Sequence, residues 1–339
     1  MKPGLAVLLA SVYGLTIRIL FGFLSEIMQI MGIVFLALIP AIVGFVTIYL
    51  MPVKQLTSKT FAFFMPWVTS LILLVVTISL NIEGAICWIM IFPFFAVMAG
   101  FGGLIAFEIK KKQAQKNAEK SDWEKPTSLQ VSLLFMVPVL LGFIEGERSL
   151  VPKEMTIRRE VSLDATSKEV WKQIIASHET LPSEPYGGSM SNLMGFPRHS
   201  KTTLDTAAVK GKRMVYYEKG LYFEETISQY EPARKLVLAI KTDPHKIPPT
   251  VMDEHILIGG KHLDILEDVY ELETLSDGRT RLLLSSRFYI NTPFNWYAGI
   301  WAEYLMKDIL QNELDRIEQR TLRSQVRALS HNDLHTRDN

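Results

Sequence analysis

The sequence predicts a two-part chain: an N-terminal α-helical transmembrane bundle, then an α+β domain in which a run of antiparallel strands ends in one long helix. Three observations carry this. Apolar stretches of membrane-spanning length fill the first part, up to about Glu145. Strand-like alternation begins near Met155, and a helical pattern of about thirty residues closes the regular part of the chain. Averages over the 339 residues, 48% hydrophobic with a formal net charge of +1, conceal the division because the two parts offset one another.

The apolar stretches run from Pro3 to Leu24, Ile27 to Leu50, Thr60 to Leu80 and Ala85 to Phe107, each close to the ~20 residues that cross a hydrocarbon core as a helix. Four spans are therefore expected. A fifth stretch, Leu129 to Ile144, is shorter and contains Pro138, so it either crosses or re-enters. Glu145, Glu147 and Arg148 close it cleanly, which favours crossing. The first stretch is read as a span rather than a cleaved signal peptide, since Lys2 is its only basic flank and a second apolar stretch follows almost at once.

Positive residues in short loops stay on the cytoplasmic side. Lys54 and Lys59 lie between the second and third stretches, and Lys110, Lys111, Lys112, Lys116, Lys120 and Lys125 fill a basic loop expected at 108–126. The gaps at Ser25–Glu26 and Asn81–Gly84 hold no basic residue. The N-terminus and both lysine loops are thus expected inside, and everything after Glu145 outside if the fifth stretch crosses, cytoplasmic if it does not. Arg18, Glu26 and Glu83 sit at span edges, where Arg18 can snorkel or pair with Glu26 rather than serve transport. The lysine run has no interleaved aromatics, so no nucleic-acid partner is expected. The single cysteine, Cys87, can form no disulfide within the chain.

In the second part, Met155 to Leu163 reads as a strand, and Asp164 to Ser167 offers caps for a helix carrying Val170, Trp171, Ile174 and Ile175. Strands follow at about Lys201–Val209, Lys212–Glu218, Leu221–Tyr230, Lys235–Thr242, Asp264–Leu275 and Arg279–Ile290, with turns at Lys219-Gly220 and Asp277-Gly278. Short connections imply an antiparallel meander. Thr292 and Pro293 then suit the start of a helix running to about Leu322, and 324–339 reads as a polar tail. Domains are accordingly expected at 1–148 and 152–323.

The opening REVSLDATSKEVWKQI (Arg159 to Ile174), the strand pair from Lys212 to Pro232, the hairpin from Tyr270 to Phe288 and the terminal NTPFNWYAGIWAEYLM (Asn291 to Met306) resemble the SRPBCC or START-like superfamily, also called Bet v 1-like, whose members include polyketide cyclase and lipid-transport proteins. The resemblance covers about residues 155 to 322 and leaves Asp243–His262 as an insertion. It implies a helix-grip domain, a curved antiparallel sheet around the C-terminal helix, with a cavity for a hydrophobic small molecule or lipid. Held to the bilayer by a short tether, such a domain would be a membrane-anchored binding module.

Site candidates follow from alternation. Leu221, Phe223, Glu225 and Ile227 share one face of their strand, and Leu266, Asp268, Tyr270 and Leu272 one face of theirs. Glu225 and Asp268 are then carboxylates among apolar side chains, either ligand-binding or structurally paired with Arg287. On the last helix Tyr297, Trp301 and Tyr304 either line a cavity or are plain core. The loops add Arg198-His199 and Asp253-Glu254-His255, with His255 the candidate for the site. An alternative is a cyclase- or dehydratase-like enzyme using Glu225, Asp268 or His255 as acid or base; another is a structural or signalling domain with no ligand. No metal-ligand spacing, nucleophile elbow or phosphate loop is present in the sequence, and no metal or cofactor is expected.

Overall fold

The computed structural model describes residues 2–23, 32–80, 82, 85–117, 129–145, 150–181, 184, 191, 194–244 and 257–335. Two compact units result: Met1–Val151 with Thr292–Phe294, and Pro152–Asn291 with Asn295–Asn339. The expected Glu26, Glu83, Lys120, Lys125, Asp253, Glu254 and His255 lie outside the described residues.

The first unit holds α1 (Pro3–Phe23), α2 (Ile39–Leu50, entered through a π-helical turn at Val34–Leu38), α3 (Lys59–Ser79), α4 (Ala85–Asn117) and α5 (Leu129–Glu145). Among the described residues, three helices are long and apolar enough to cross a membrane, Pro3–Phe23, Lys59–Ser79 and Cys87–Gln115, whereas Val34–Leu50 and Met136–Glu145 are shorter. Helix α4 runs through Asn117, so Lys110, Lys111 and Lys112 are helical instead of lying in a loop. The reason is local: IKKKQAQKN is made mostly of good helix formers and has no glycine or proline to end the helix.

Small residues set how these helices pack. A Cβ added to Gly44 would lie 1.8 Å from the Ala99 carbonyl oxygen, and one added to Gly102 would lie 1.7 Å from that of Ala41. The α2 and α4 backbones are therefore in direct contact, which only small residues at the crossing permit. Side-chain hydrogen bonds join α3 to its neighbours, Thr47 to Thr69 at 3.0 Å and the Trp88 indole N–H to Thr77 Oγ1 at 2.7 Å.

Charges then mark the two ends of α2. The Lys110 ammonium donates to the carbonyls of Tyr49, at 2.7 Å, and Met51, satisfying acceptors that a helix C-terminus leaves open. At the other end the Glu145 carboxylate accepts the backbone N–H groups of Ile33 (2.5 Å) and Val34 (2.9 Å), where an anion complements the helix dipole. Glu145, the last residue of α5, thus sits at the end of α2 opposite the one that Lys110 caps.

The second unit holds an eight-stranded antiparallel sheet of order β1-β8-β7-β6-β5-β4-β3-β2 and, among the described residues, two α-helices of more than one turn. Its elements are β1 (Pro152–Leu163), α6 (Ser167–Ile175), β2 (His178–Glu179), β3 (His199–Leu204), β4 (Lys212–Tyr217), β5 (Tyr222–Glu231), β6 (Lys235–Lys241), β7 (Leu263–Thr274), β8 (Thr280–Asn291) and α7 (Asn295–His335). This is the helix-grip architecture expected, with the two-residue β2 as an unforeseen edge. Thr166 caps α6 in a capping box with Glu169. Bulges interrupt β3, β5 and β7, and each bends its strand and sharpens the local twist.

The core lies between sheet and helix. Ile157, Leu163, Leu236, Leu238, Tyr270, Leu282, Leu284 and Phe288 meet Val170 and Trp171 of α6 and Met306, Leu310, Leu314 and Ile317 of α7. Helix α7 corrects two expectations. It begins at Asn295, two residues later than Pro293 suggests, and it continues through Ser324–His335, expected as a loose tail. The stretch SQVRALSHNDLH has no helix breaker, and the Gln325 side chain donates to the Asp164 carbonyl at 2.9 Å.

Two predictions follow from packing. Gly44→Ala and Gly102→Ala each lower the melting temperature of the detergent-solubilised chain, because their methyl groups meet backbone, whereas Gly4→Ala, which meets nothing within 4 Å, leaves it unchanged. A fragment of residues 152–335 unfolds cooperatively in denaturant, and ending it at Arg323 costs ~1 kcal/mol through loss of the Gln325 hydrogen bond.

Candidate functional site

Between the sheet and α7, beside the apolar core, the second unit buries a cluster of charges. Hairpin register starts it. The turn that joins Tyr217 to Leu221 sets Arg213 of β4 directly opposite Glu225 of β5, and both point to the inner face. Their side chains are 8% and 6% exposed, and Arg213 Nε donates to Glu225 Oε2. A second guanidinium nitrogen donates to the Tyr270 hydroxyl of β7 at 3.1 Å, with the guanidinium carbon 5.3 Å from the ring centroid. On a flat sheet β4 and β7 would stand about 14 Å apart, so this contact records how far the sheet curls.

Helix α7 adds Glu313 and Arg316, paired at 2.5 Å and largely buried, and Arg320, which holds Glu184 through two hydrogen bonds of 3.3 and 3.1 Å. From β3, His199 has a threonine hydroxyl on each ring nitrogen, Thr180 at 2.6 Å and Thr202 at 2.7 Å. The His178 ring stacks on it at 5.6 Å, and Tyr217 meets it edge-on at 5.7 Å.

Proton affinities follow from this crowding. Burial raises the Glu225 carboxyl, and Arg213 opposes it. Burial likewise raises Asp268, to about 7; the Glu225 charge adds to that, while Ser286, its partner on β8, and Arg213 restrain it. Glu313 goes the other way. Burial would raise it, but Arg316, His199, Arg213 and Arg320 together carry it well below the ordinary carboxylate range. Burial drops His199 to about 3 and also lowers His178, so both rings are neutral at pH 7. The Tyr217 and Tyr270 phenols are driven up, chiefly by burial, and keep their protons.

Several candidates read from the sequence meet here. Phe223 and Glu225 are buried side by side on β5, as alternation required, and Asp268 is half-buried on the inner face of β7. Leu266 is not part of that row. The bulge between Ile265 and Glu267 shifts the phase, so Leu263 and Ile265 are the residues that join the core. Arg287 also needs correction. Leu284, Ser286, Phe288 and Ile290 are buried on the opposite face of β8, so Arg287 faces outward and pairs with Glu154 (3.4 Å) and Glu267 (3.7 Å). Arg213 takes the role given to it, and counting outward from the Tyr217–Leu221 turn would have found that residue.

The aromatics of α7 do not form the inner lining. Ala298, Ala302 and Met306 face the core, and Gly299 lies near Met155 and Ile290, leaving room only for small side chains there. Tyr297 and Trp301 are half-buried on the flank, and Tyr304 is 50% exposed. Among the described residues no group of three or more His, Cys, Asp or Glu could hold a metal ion. Glu313, Arg316, Arg320 and Glu184 escaped the sequence reading because their charges suggested a solvated helix face and a loop.

No protein-family model matches the chain, and no curated protein does. Similar solved structures include norcoclaurine synthase from Thalictrum flavum, 11% identical over 51% of this chain and 95% of that one with a TM-score of 0.32. Ara h 8.0201 is 14% identical over 50% of this chain and 99% of its own, at a TM-score of 0.31. An uncharacterized protein from Rhizobium leguminosarum gives 12%, 51% and 98% at 0.33. Bet v 1-like proteins are thus among the structures similar to about half of the chain. At these scores the likeness adds nothing to the fold assignment, which rests on the strand order and the helix.

Removing Arg213 alone strands a buried carboxylate, so Arg213→Leu costs ~3–5 kcal/mol, and Arg213→Leu with Glu225→Leu restores much of it. The pH profile separates two further groups. Between about pH 4 and 7 the folded chain keeps the Asp268 proton that the unfolded chain has lost, so stability falls as pH rises through that window. Asp268→Asn removes the fall, worth up to ~4 kcal/mol at ~1.4 kcal/mol per pH unit. His199 acts in the opposite sense: between about pH 6.5 and 3 only the unfolded chain binds its proton, so stability drops on acidification and His199→Gln flattens that limb. Denaturant midpoints measured from pH 4 to 8 check both.

Proposed function

We propose that this chain is a membrane-anchored binding protein whose helix-grip domain takes a hydrophobic small molecule or lipid bearing a polar group. The observation that carries the reading is the charge cluster between sheet and helix. A domain that needed only a core would gain by filling this space with apolar side chains, since burying ions costs several kcal/mol each unless something is gained by it. A separate apolar cluster of Leu221, Phe223 and Ile258, with Phe196, Tyr217 and Ile240 against it, borders the charges. Phe223 and Glu225, two residues apart, thus offer an apolar wall and a polar group side by side, as small-molecule sites do.

Anchoring is supported by the three long apolar helices, and orientation by the lysines. Lys54, Lys59 and Lys110 belong to the end of α2 capped by Lys110, which the positive-inside rule assigns to the cytoplasm. Glu145 belongs to the opposite end, which supports the reading that the chain after it continues on the outer side.

An acid–base enzyme is the second reading, favoured by one observation: Asp268, held near pH 7 beside Glu225, can give or take a proton at working pH.

Mass spectrometry of small molecules extracted from the purified full chain tests the first reading. An amphiphilic compound copurifies, and an apolar fluorescent probe competes with it; Phe223→Ala, which removes the apolar wall beside Glu225, weakens the probe, whereas Trp301→Ala on the flank leaves it unchanged. Absence of both compound and probe binding would sink the binding reading. Under the enzyme reading, Asp268→Asn retains the compound but does not convert it. For topology, alkaline phosphatase fused after Asn339 is active outside the cytoplasm; activity only of a cytoplasmic reporter at that position would reverse the orientation.

A further inference from the structure

One feature of α7 is unused by the site. Trp296, Ile300 and Tyr304 recur at i, i+4 and i+8 and are 63%, 64% and 50% exposed. Large apolar side chains in a row on the surface mark an interaction face. The row is short: the Glu303–Lys307 ion pair flanks Tyr304, and one turn beyond it Asp308 accepts the Ser191 N–H at 3.0 Å. It also has a cation beside it, because the exposed Lys153 ammonium lies 3.9 Å from where a side chain on Gly299 would begin.

We infer that this stripe lies in the interfacial layer of the bilayer, with Trp296 and Tyr304 at headgroup depth, Ile300 against the acyl boundary and Lys153 toward lipid phosphates. An indole, a phenol and an aliphatic chain on one face, next to an ammonium, match the composition that settles at membrane interfaces. Chain length requires it to be close. Six residues separate Glu145 from Pro152, at most about 25 Å of extended chain, and Pro152 pairs with Asn291, four residues before α7 begins. A second copy of the chain is the poorer occupant, since three side chains fall well short of the ~800 Å² per partner of a stable interface.

The inference rests on the membrane reading above, and the test separates the two. Cys87, the only cysteine, is changed to Ser in the full chain, and single cysteines are introduced as Val75→Cys in α3, Ile300→Cys in the stripe and Val209→Cys in the β3–β4 turn. Each is labelled with an environment-sensitive fluorophore and reconstituted at one chain per nanodisc of phosphatidylcholine and phosphatidylglycerol. With doxyl-labelled lipid, positions 75 and 300 lose most of their emission and position 209 does not; iodide quenches 209 and spares 300. Quenching of 75 but not 300 by lipid overturns this inference while the spans stand. Shielding of 300 from iodide without lipid quenching also overturns it and points to a protein partner. No lipid quenching at 75 or 300 overturns the membrane reading and this one together.

Discussion

Arg213 is the cation around which the second unit is organised. A guanidinium this deep cannot shed its proton, so the fold must surround it with acceptors or leave an unpaired ion in low dielectric. Glu225 satisfies it from the neighbouring strand and Tyr270 from three strands away. Only a curled sheet lets both reach it, so the demand of one side chain and the shape of the sheet are linked. Its field extends further, adding to that of Arg316 in keeping Glu313 ionised and restraining the rise of Asp268.

The same cluster divides the interior. To one side lie the apolar residues that tie sheet, α6 and α7 together, and to the other the smaller group around Phe223. Of the two, the smaller is the better place for a guest, because fewer elements depend on it. In the first unit, glycines admit neighbouring backbone beside two apolar clusters, and Lys110 and Glu145 satisfy the open ends of α2.

Much of the architecture was legible because it is periodic. Strand alternation placed Phe223, Glu225 and Tyr270 on the inner face, and the two-unit division followed from the change of period near Met155. What escaped depends on phase or on partners distant in sequence. A single bulge moved Leu266 out of its row, and adjacent leucines in β8 hid the phase that turns Arg287 outward. Large aromatics on α7 drew attention away from Ala298, Gly299 and Ala302, which face the sheet, where the Met155 and Ile290 side chains lie 3.7 and 3.8 Å from where a side chain on Gly299 would begin. Charged residues such as Glu313 and Arg316 look solvated in any window of sequence, since nothing local records that the sheet will fold over them.

The pairing of β1 with β8 sets an order of events. The first strand of the unit is held along its whole length by the last, more than a hundred residues later. During synthesis at ordinary rates, β1 therefore waits on the order of ten seconds for its partner. Its backbone donors and acceptors are open throughout that interval, as at any unguarded sheet edge. Closure of the sheet is a late, long-range step, and assembly of the unit is governed by when β8 emerges rather than by how fast the hairpins form.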